Sequence, residues 1–404
     1  MKIQTATAQD IESPYAWTRL FVSLVLMTIG GSGMYTVSVV LPRIQAEFAV
    51  ARGDASLPYT LAMIGFGLGG VLMGKLSDRF GVLVPVSIGA VFLGVGFIVA
   101  GSATSLWQFS LAQGVLMGLL GCSATFAPLV ADTSQWFSRR RGIAIAICMS
   151  GNYMAGAVWS PLVQHFIETV GWRQTYIGMG IFCLCSMLPL ALWVLRKRPP
   201  PHAPHPAEPE ALSAETIPHA KHAESARPLG FSPAALQGLL CVAGVACCVA
   251  MSMPQVHIVA YCGDLGFGFA RGAEMLSLML AAGIVSRLVS GWISDHIGGL
   301  RTLLPGSVLQ GIALLVREYF TPKEAGARVG TILMATLGGM ALGGWMSGAI
   351  FDLTGSYRAA FLNGTAWNLL NISIVLLLIY RERGGRRQTL AAAHWRTGSG
   401  ANKP

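Results

Sequence analysis

Charge is what this sequence has least of. Asp, Glu, Lys and Arg together make up 11% of its 404 residues, against roughly 25% in a soluble globular domain. An ordinary water-soluble globule is therefore excluded. Also missing are G-x-S-x-G, H-E-x-x-H and Walker-loop patterns, the usual carriers of hydrolytic, metal and nucleotide chemistry. No paired acids lie inside an apolar run, so no enzyme activity, no metal and no cofactor is expected. The eight cysteines (Cys122, Cys148, Cys183, Cys185, Cys241, Cys247, Cys248, Cys262) show no C-x-x-C spacing. They read as small apolar filler and not as a disulfide framework. A cleavable secretory signal is not expected either, because the first 16 residues are polar and the first apolar run is too long for an h-region.

Apolar runs are abundant. The chain is 53% hydrophobic, and its mean hydropathy is +0.58. Segments 17–41, 56–74, 82–101, 106–131, 142–166 and 174–195 are each long enough to cross a bilayer as a helix, and so are 233–260, 272–293, 327–350 and 358–380. A shorter run, 302–316, brings the count to eleven. The fold class expected is all-α and membrane-embedded, in two pseudo-repeated helix bundles. Between the bundles, 196–232 opens on Arg196-Lys197-Arg198 and continues as a Pro, His, Ala and Glu mixture. That composition cannot bury enough apolar area to fold and predicts a flexible linker. The expected organisation is a tail at 1–16, a bundle at 17–195, the linker at 196–232, a second bundle at 233–380 and a basic tail at 381–404.

The net charge of +10 could suggest nucleic acid, but its placement argues against that. The stretches 1–19, 74–81, 132–141, 196–232, 294–301, 317–328 and 381–404 hold 22 of the 28 Lys and Arg residues. A one-sided excess of this kind is the positive-inside signature. It predicts an integral protein of the plasma (inner) membrane with both termini and the linker cytoplasmic. The partner it implies is the lipid bilayer, not a nucleic acid.

One phrase occurs twice. Gly74-Lys75-Leu76-Ser77-Asp78-Arg79-Phe80-Gly81 returns as Gly291-Trp292-Ile293-Ser294-Asp295-His296-Ile297-Gly298, and both copies read G-x-x-S-D-x-x-G. A second echo links Trp136-Phe137-Ser138-Arg139-Arg140-Arg141-Gly142 to Tyr319-Phe320-Thr321-Pro322 with Arg328 and Gly330. Duplication explains both. Each aspartate sits at the C-terminal end of a helix, the unfavourable end of the macrodipole, so a helix N-terminus or a basic neighbour such as Arg79 must compensate it. The repeats also measure the halves. Asp78 and Phe137 lie 59 positions apart, whereas Asp295 and Phe320 lie 25 apart. The second interval is short by about one helix and a loop. An internal deletion and a natural eleven-helix variant both account for it.

Six segments, a charged linker and a second, related set resemble the major facilitator superfamily over nearly the whole chain. The repeated phrase matches that family's loop motif, except that Val82 and Leu83 stand where a basic pair usually follows. Trp136 to Ala144, followed by Ser150-Gly151 and Gly156, is similar to the fifth helix of monocarboxylate and oxalate/formate porters. Arg287 matches the eighth-helix arginine with which those families hold their anion. The resemblance implies a secondary transporter of a small organic anion, a mono- or dicarboxylate, working by alternating access without ATP. A proton would be co-transported or another anion exchanged. It also implies a cytoplasmic gate built from Asp78, Arg79, Asp295, Arg139, Arg140 and Arg141. Where monocarboxylate porters place an acid one turn before the arginine, this chain has Gly283, so the usual proton-coupling pair is incomplete.

Arg287 also stands out from the residues alone, as a charge deep inside the span 272–293. Such a charge costs at least about 2.5–3.5 kcal/mol on insertion scales and faces a wet cavity or a partner. Facing a cavity, a guanidinium can clasp a carboxylate bidentately; the other placement open to it is snorkelling to the cytoplasmic surface. Tyr35, Thr36, Gln113, Asn152 and Tyr153 are the polar residues expected to orient the anion, with an interhelical hydrogen bond as the plainer account of each. His257 is expected near the outer end of its helix, in solvent contact. Two other classes of function stay open: a transport-defective remnant or membrane sensor, and an exporter of amphipathic compounds. The topology is tested directly by fusing a reporter that fluoresces only in the cytoplasm after Pro404. Fluorescence is the expected outcome.

Overall fold

Without water to take its hydrogen bonds, a chain in hydrocarbon must satisfy every peptide group internally, and an apolar run of this length therefore closes as a helix. The computed structural model describes residues 11–138, 140–197, 231–297 and 322–398, with the backbone alone for residues 141, 287, 290–297, 322–329 and 382–398. Ten helices among the described residues are long and apolar enough to cross a membrane. They are α1 (Pro14–Phe48), α2 (Arg52–Phe80), α3 (Leu83–Gly101), α4 (Leu106–Trp136), α5 (Arg141–Val170), α6 (Trp172–Val194), α7 (Pro233–Asp264), α8 (Phe269–Ile297), α9 (Pro322–Thr354) and α10 (Tyr357–Gly398). No strand occurs among the described residues. The short run 302–316, the deficit read between Asp295 and Phe320, and nearly all of the linker lie outside the described residues.

Most helices overrun the apolar segments that announce them. α1 starts at Pro14 and ends at Phe48, and α10 continues to Gly398, past the boundary drawn at 381. An apolar count stops at the first charge, whereas the hydrogen-bond ladder continues through the headgroup region. Local chemistry fixes several ends. The Ser13 hydroxyl accepts from the amide of Ala16 ahead of Pro14, and Ser105 accepts from the amide of Gln108. Gly81 and Gly171 close α2 and α5 at φ 84° and 88°, a region that favours glycine. Within α4, Ala112–Cys122 winds as a π-helix. Gly65 and Gly69 of α2 sit so close to it that a Cβ would fall 2.1 Å from the carbonyl oxygen of Gly114 and 2.0 Å from that of Leu119.

The chain divides into two compact units. The first comprises Met1–His205, Cys248–Leu288 and Leu337–Thr365; the second comprises Pro206–Cys247, Val289–Thr336 and Ala366–Pro404. The first has a continuous apolar core that includes Leu26, Phe97, Phe109, Trp136, Tyr176 and Leu280. Leu236, Leu240, Ile332, Ile374 and Leu378 form the core of the second.

Two ion pairs bind the first unit's α1 at either end. Arg19 is 2% exposed and Asp132, at the end of α4, is 5% exposed. Arg19 Nε and Nη2 donate to Asp132 Oδ2 and Oδ1 at 2.7 and 2.8 Å, and its Nη1 donates to the carbonyl of Val194 at 2.9 Å. The guanidinium also lies 4.7 Å from the Trp136 ring. At the far end of α1, Glu47 accepts from Arg173 Nη2 at 2.6 Å and from the Trp172 indole. Arg173 Nη1 in turn donates to the carbonyls of Gly101 and Ala103. The positive-inside count treated Arg19 and Asp132 as flanking charges; they are interior instead, because a paired acid and base can continue a helix into the bundle where a lone charge could not.

Removing one partner leaves the other buried and uncompensated, at a cost of about 3–5 kcal/mol. Asp132→Ala and Arg19→Ala should therefore each lower the midpoint of thermal unfolding in detergent markedly. An Arg19→Met/Asp132→Leu double variant should recover much of the loss.

Candidate functional site

The residues singled out from sequence fall in three places. Tyr35 of α1 is buried, and its ring lies against Gly156 of α5, where a Cβ would come within 2.8 Å of it. The same Gly156 would meet Leu280 of α8 at 2.1 Å. Tyr153 of α5 is half-buried, with its ring over Gly283 of α8, 3.0 Å from where a Cβ would stand. A Ser277 hydroxyl donating to the carbonyl of Ala157 completes this α5–α8 seam. Asn152 is half-buried beside Gly31 of α1. Tyr35, Tyr153 and Asn152 are thus gathered where α1, α5 and α8 meet. Arg287 lies one turn beyond Gly283 on α8; its side chain lies outside those described. The place that would hold the porters' acid is taken by the Tyr153 ring, a physical reason why residue 283 has no side chain.

Thr36 and Gln113 belong deeper in the first bundle. Thr36 lies beside the Tyr176 hydroxyl of α6. Gln113 is 0% exposed on the π-helical stretch of α4, and neither of its amide atoms is hydrogen-bonded among the described residues. π-helical turns recur at functional positions, and a buried unpartnered amide is costly.

The gating residues form a third group. Asp78 and Arg79 are exposed at the end of α2, and the Arg79 guanidinium stacks on Phe80 at 5.2 Å. Arg140 is exposed, and its backbone amide donates to Glu12 at 2.8 Å. That carboxylate therefore sits at the N-terminus of α5, where the helix dipole favours it. Arg139 and the side chains of Arg141 and Asp295 lie outside those described.

The most connected polar group lies outside the basic stretches counted in the sequence. Arg52, at the start of α2, is 9% exposed. Its guanidinium makes a bidentate ion pair with Asp264 at the end of α7 and donates to the Tyr357 hydroxyl of α10 at 3.1 Å. It also lies 4.1 Å from the Phe351 ring. The backbone amides of Arg52 and Gly53 donate to Asp352 of α9 at 2.8 and 2.6 Å. The Tyr357 hydroxyl is 3.0 Å from His257 Nδ1, and His257 Nε2 is 2.8 Å from the carbonyl of Gly344. His257 is accordingly buried at 2% exposure, not in solvent contact as expected, because both ring nitrogens have protein partners. Below the cluster, α2 and α9 touch through small residues. A Cβ on Gly348 would meet the carbonyl oxygen of Arg52 at 2.8 Å, one on Gly344 would meet the Tyr59 ring at 2.9 Å, and the Thr60 hydroxyl lies 3.2 Å from the carbonyl of Ala341. A weak signal was present in the sequence: Asp264 and Asp352 both stand just past an apolar run, as Arg52 stands just before one.

This arrangement joins a helix of the first half to three of the second through charges, beside an apolar core that Tyr59 and Met63 of α2 share with Val256, Val259 and Ala341. Comparisons with known proteins agree with the architecture. The chain is similar to the MFS-type transporter pynF of Aspergillus niger, at 25% identity over 69% of this chain and 59% of that protein. It is also similar to monocarboxylate transporter 13 of Rattus norvegicus, at 26% identity over 88% of this chain and 86% of that one. Among solved structures, a bacterial homolog of the human lysosomal transporter Spinster, in an inward-facing and occupied conformation, superposes with a TM-score of 0.65 at 14% identity, over 92% of this chain and 97% of that one. The model of the Major Facilitator Superfamily matches residues 21–317. Two repeated helical bundles, a doubled loop motif and that match together identify the chain as a member of the Major Facilitator Superfamily.

Proposed function

We propose that the protein is a secondary transporter of a small organic anion, a mono- or dicarboxylate, that exposes its site alternately to the two sides of the membrane. The observation that carries this reading is the Arg52 cluster. Alternating access needs contacts between the halves 17–195 and 233–380 that hold at one face and can be broken. Arg52 with Asp264, Asp352 and Tyr357 is such a contact: polar, concentrated at one end, and exchangeable for water once parted. With the basic loops taken as cytoplasmic, that end is the outer one, and the cluster closes the path from outside.

The anion site is assigned to the meeting of α1, α5 and α8. Arg287 binds the carboxylate, Tyr35, Asn152 and Tyr153 orient it, and Thr36 and Gln113 extend the polar lining into the first bundle. The similarity to monocarboxylate transporters supports the substrate class. On the cytoplasmic side the gate is formed by Asp78, Arg79 and Asp295 with Arg139, Arg140 and Arg141.

Two measurements test the reading. In proteoliposomes, counterflow of labelled lactate, oxalate or succinate should identify the anion. Arg287→Ala should then lower the rate by about ten- to a hundredfold, the worth of a charge-assisted hydrogen bond of about 1.5–3 kcal/mol. Undiminished counterflow in that variant would remove the anion site from Arg287. Separately, Gly348→Leu drives a side chain into the Arg52 backbone and should block closure of the outer end. A cysteine-reactive probe added from outside should then label a Ser277→Cys substitution in the α5–α8 seam faster, with the helix content of the protein preserved.

A further inference from the structure

The polar chain that leaves Arg52 has a direction fixed by chemistry. The carbonyl of Gly344 can only accept, so His257 Nε2 carries a hydrogen and donates it. An Arg52 N–H donates to the Tyr357 oxygen, so the Tyr357 hydrogen is free to point at His257 Nδ1. That nitrogen then accepts, and the imidazole is neutral. Each group fills a single role, and the sequence of donors runs from Arg52 through Tyr357 into the ring. The charged and titratable groups around the ring are Arg52 from α2, Asp352 from α9, Tyr357 from α10, and Tyr261 and Asp264 from α7 itself.

We propose that His257 is the proton-responsive element of the outer latch, so that a proton added at Nδ1 loosens the hold of Arg52 on Asp264 and Asp352. The proton takes up the Nδ1 lone pair and breaks no covalent bond. Nδ1 then becomes a donor, and the Tyr357 hydrogen must turn away from it. The tyrosine oxygen receives two donors in place of one, and the new imidazolium stands beside the Arg52 guanidinium as a second cation. Both cations now compete for the same two aspartates, which weakens the cross-half pair. A cavity of about 120 Å³ bordered by Met253, Pro254, His257, Tyr261, Tyr357 and Phe361 lies against the ring. This assignment answers the absence of an acid at Gly283: coupling is placed at the latch and not beside the anion. It rests on the transporter reading for its purpose, though its test does not.

The experiment uses the full chain in nanodiscs, native cysteines replaced by serine, with spin labels at Asp54→Cys and Leu353→Cys, two exposed positions flanking the latch. Lowering the pH from about 8 to about 3.5, far enough to charge a buried imidazole that stands beside a guanidinium, should raise the ratio of long to short label distances severalfold, and the His257→Gln variant separates this from titration of the aspartates. His257→Gln keeps one donor and one acceptor but does not titrate, and should hold the short distance at both pH values. Tyr357→Phe cuts the link to Arg52 and should flatten the response as well. A parent protein without a pH-dependent shift would overturn the proposal, and so would a full shift in either variant. No substrate is involved. Failure of every carboxylate in counterflow would therefore overturn the transport reading and leave the label result to decide this one.

Discussion

A charge inside a bilayer cannot be left to water, and much of this structure follows from how each one is answered. Arg19 and Asp132 answer each other across α1 and α4 at one end of the first bundle. Glu47 and Arg173 do the same between α1 and α6 at the other. Arg52 is answered by Asp264 and Asp352, acids that belong to the second half of the sequence. The first two pairs make a bundle. The third joins bundles. In energy the Arg19 and Arg52 pairs differ in their solvent: the Arg19 pair is sealed on all sides, while Asp264 keeps over a third of its side chain in contact with the surroundings. Water can therefore replace a partner at Arg52 at much lower cost than at Arg19.

Small residues line the approach to the Arg52 cluster. Along α9, Ala341, Gly344 and Gly348 present backbone to α2, so the two helices meet without interlocking side chains. The α5–α8 seam is built on the same plan, with Gly156 and Gly283 each lying under a tyrosine ring.

The fold was legible in the sequence because hydrophobic length and the doubled G-x-x-S-D-x-x-G are both local. Helix existence needed no tertiary knowledge, and only the ends were misjudged, since α1 and α10 run past their first charges. Tyr35, Asn152 and Tyr153 could be singled out from the sequence because they are polar residues on apolar helices; that Tyr35 lies at Gly156, Asn152 at Gly31 and Tyr153 at Gly283 could not. What stayed hidden was pairing. Arg19 and Asp132 stand 113 positions apart and Arg52 and Asp352 stand 300 apart, and nothing in spacing or composition links them. Each looked like an ordinary flanking charge. His257 was misread for the same reason, because its partners Tyr357 and Gly344 lie on two other helices.

The paired ties at the two ends of α1 carry a mechanical consequence. With α4 and α6 tied at one end and α3 and α6 at the other, α1 is held at both ends by polar contacts. A helix such as α2, 29 residues long, extends roughly 44 Å. A rotation of about 15°, of the size known for rigid-body transitions, would carry its far end roughly 11 Å. In the proposed transport cycle, the ties at Arg19 and Arg173 would let such a rotation turn an ångström-scale change at Arg52 into a passage wide enough for a solute.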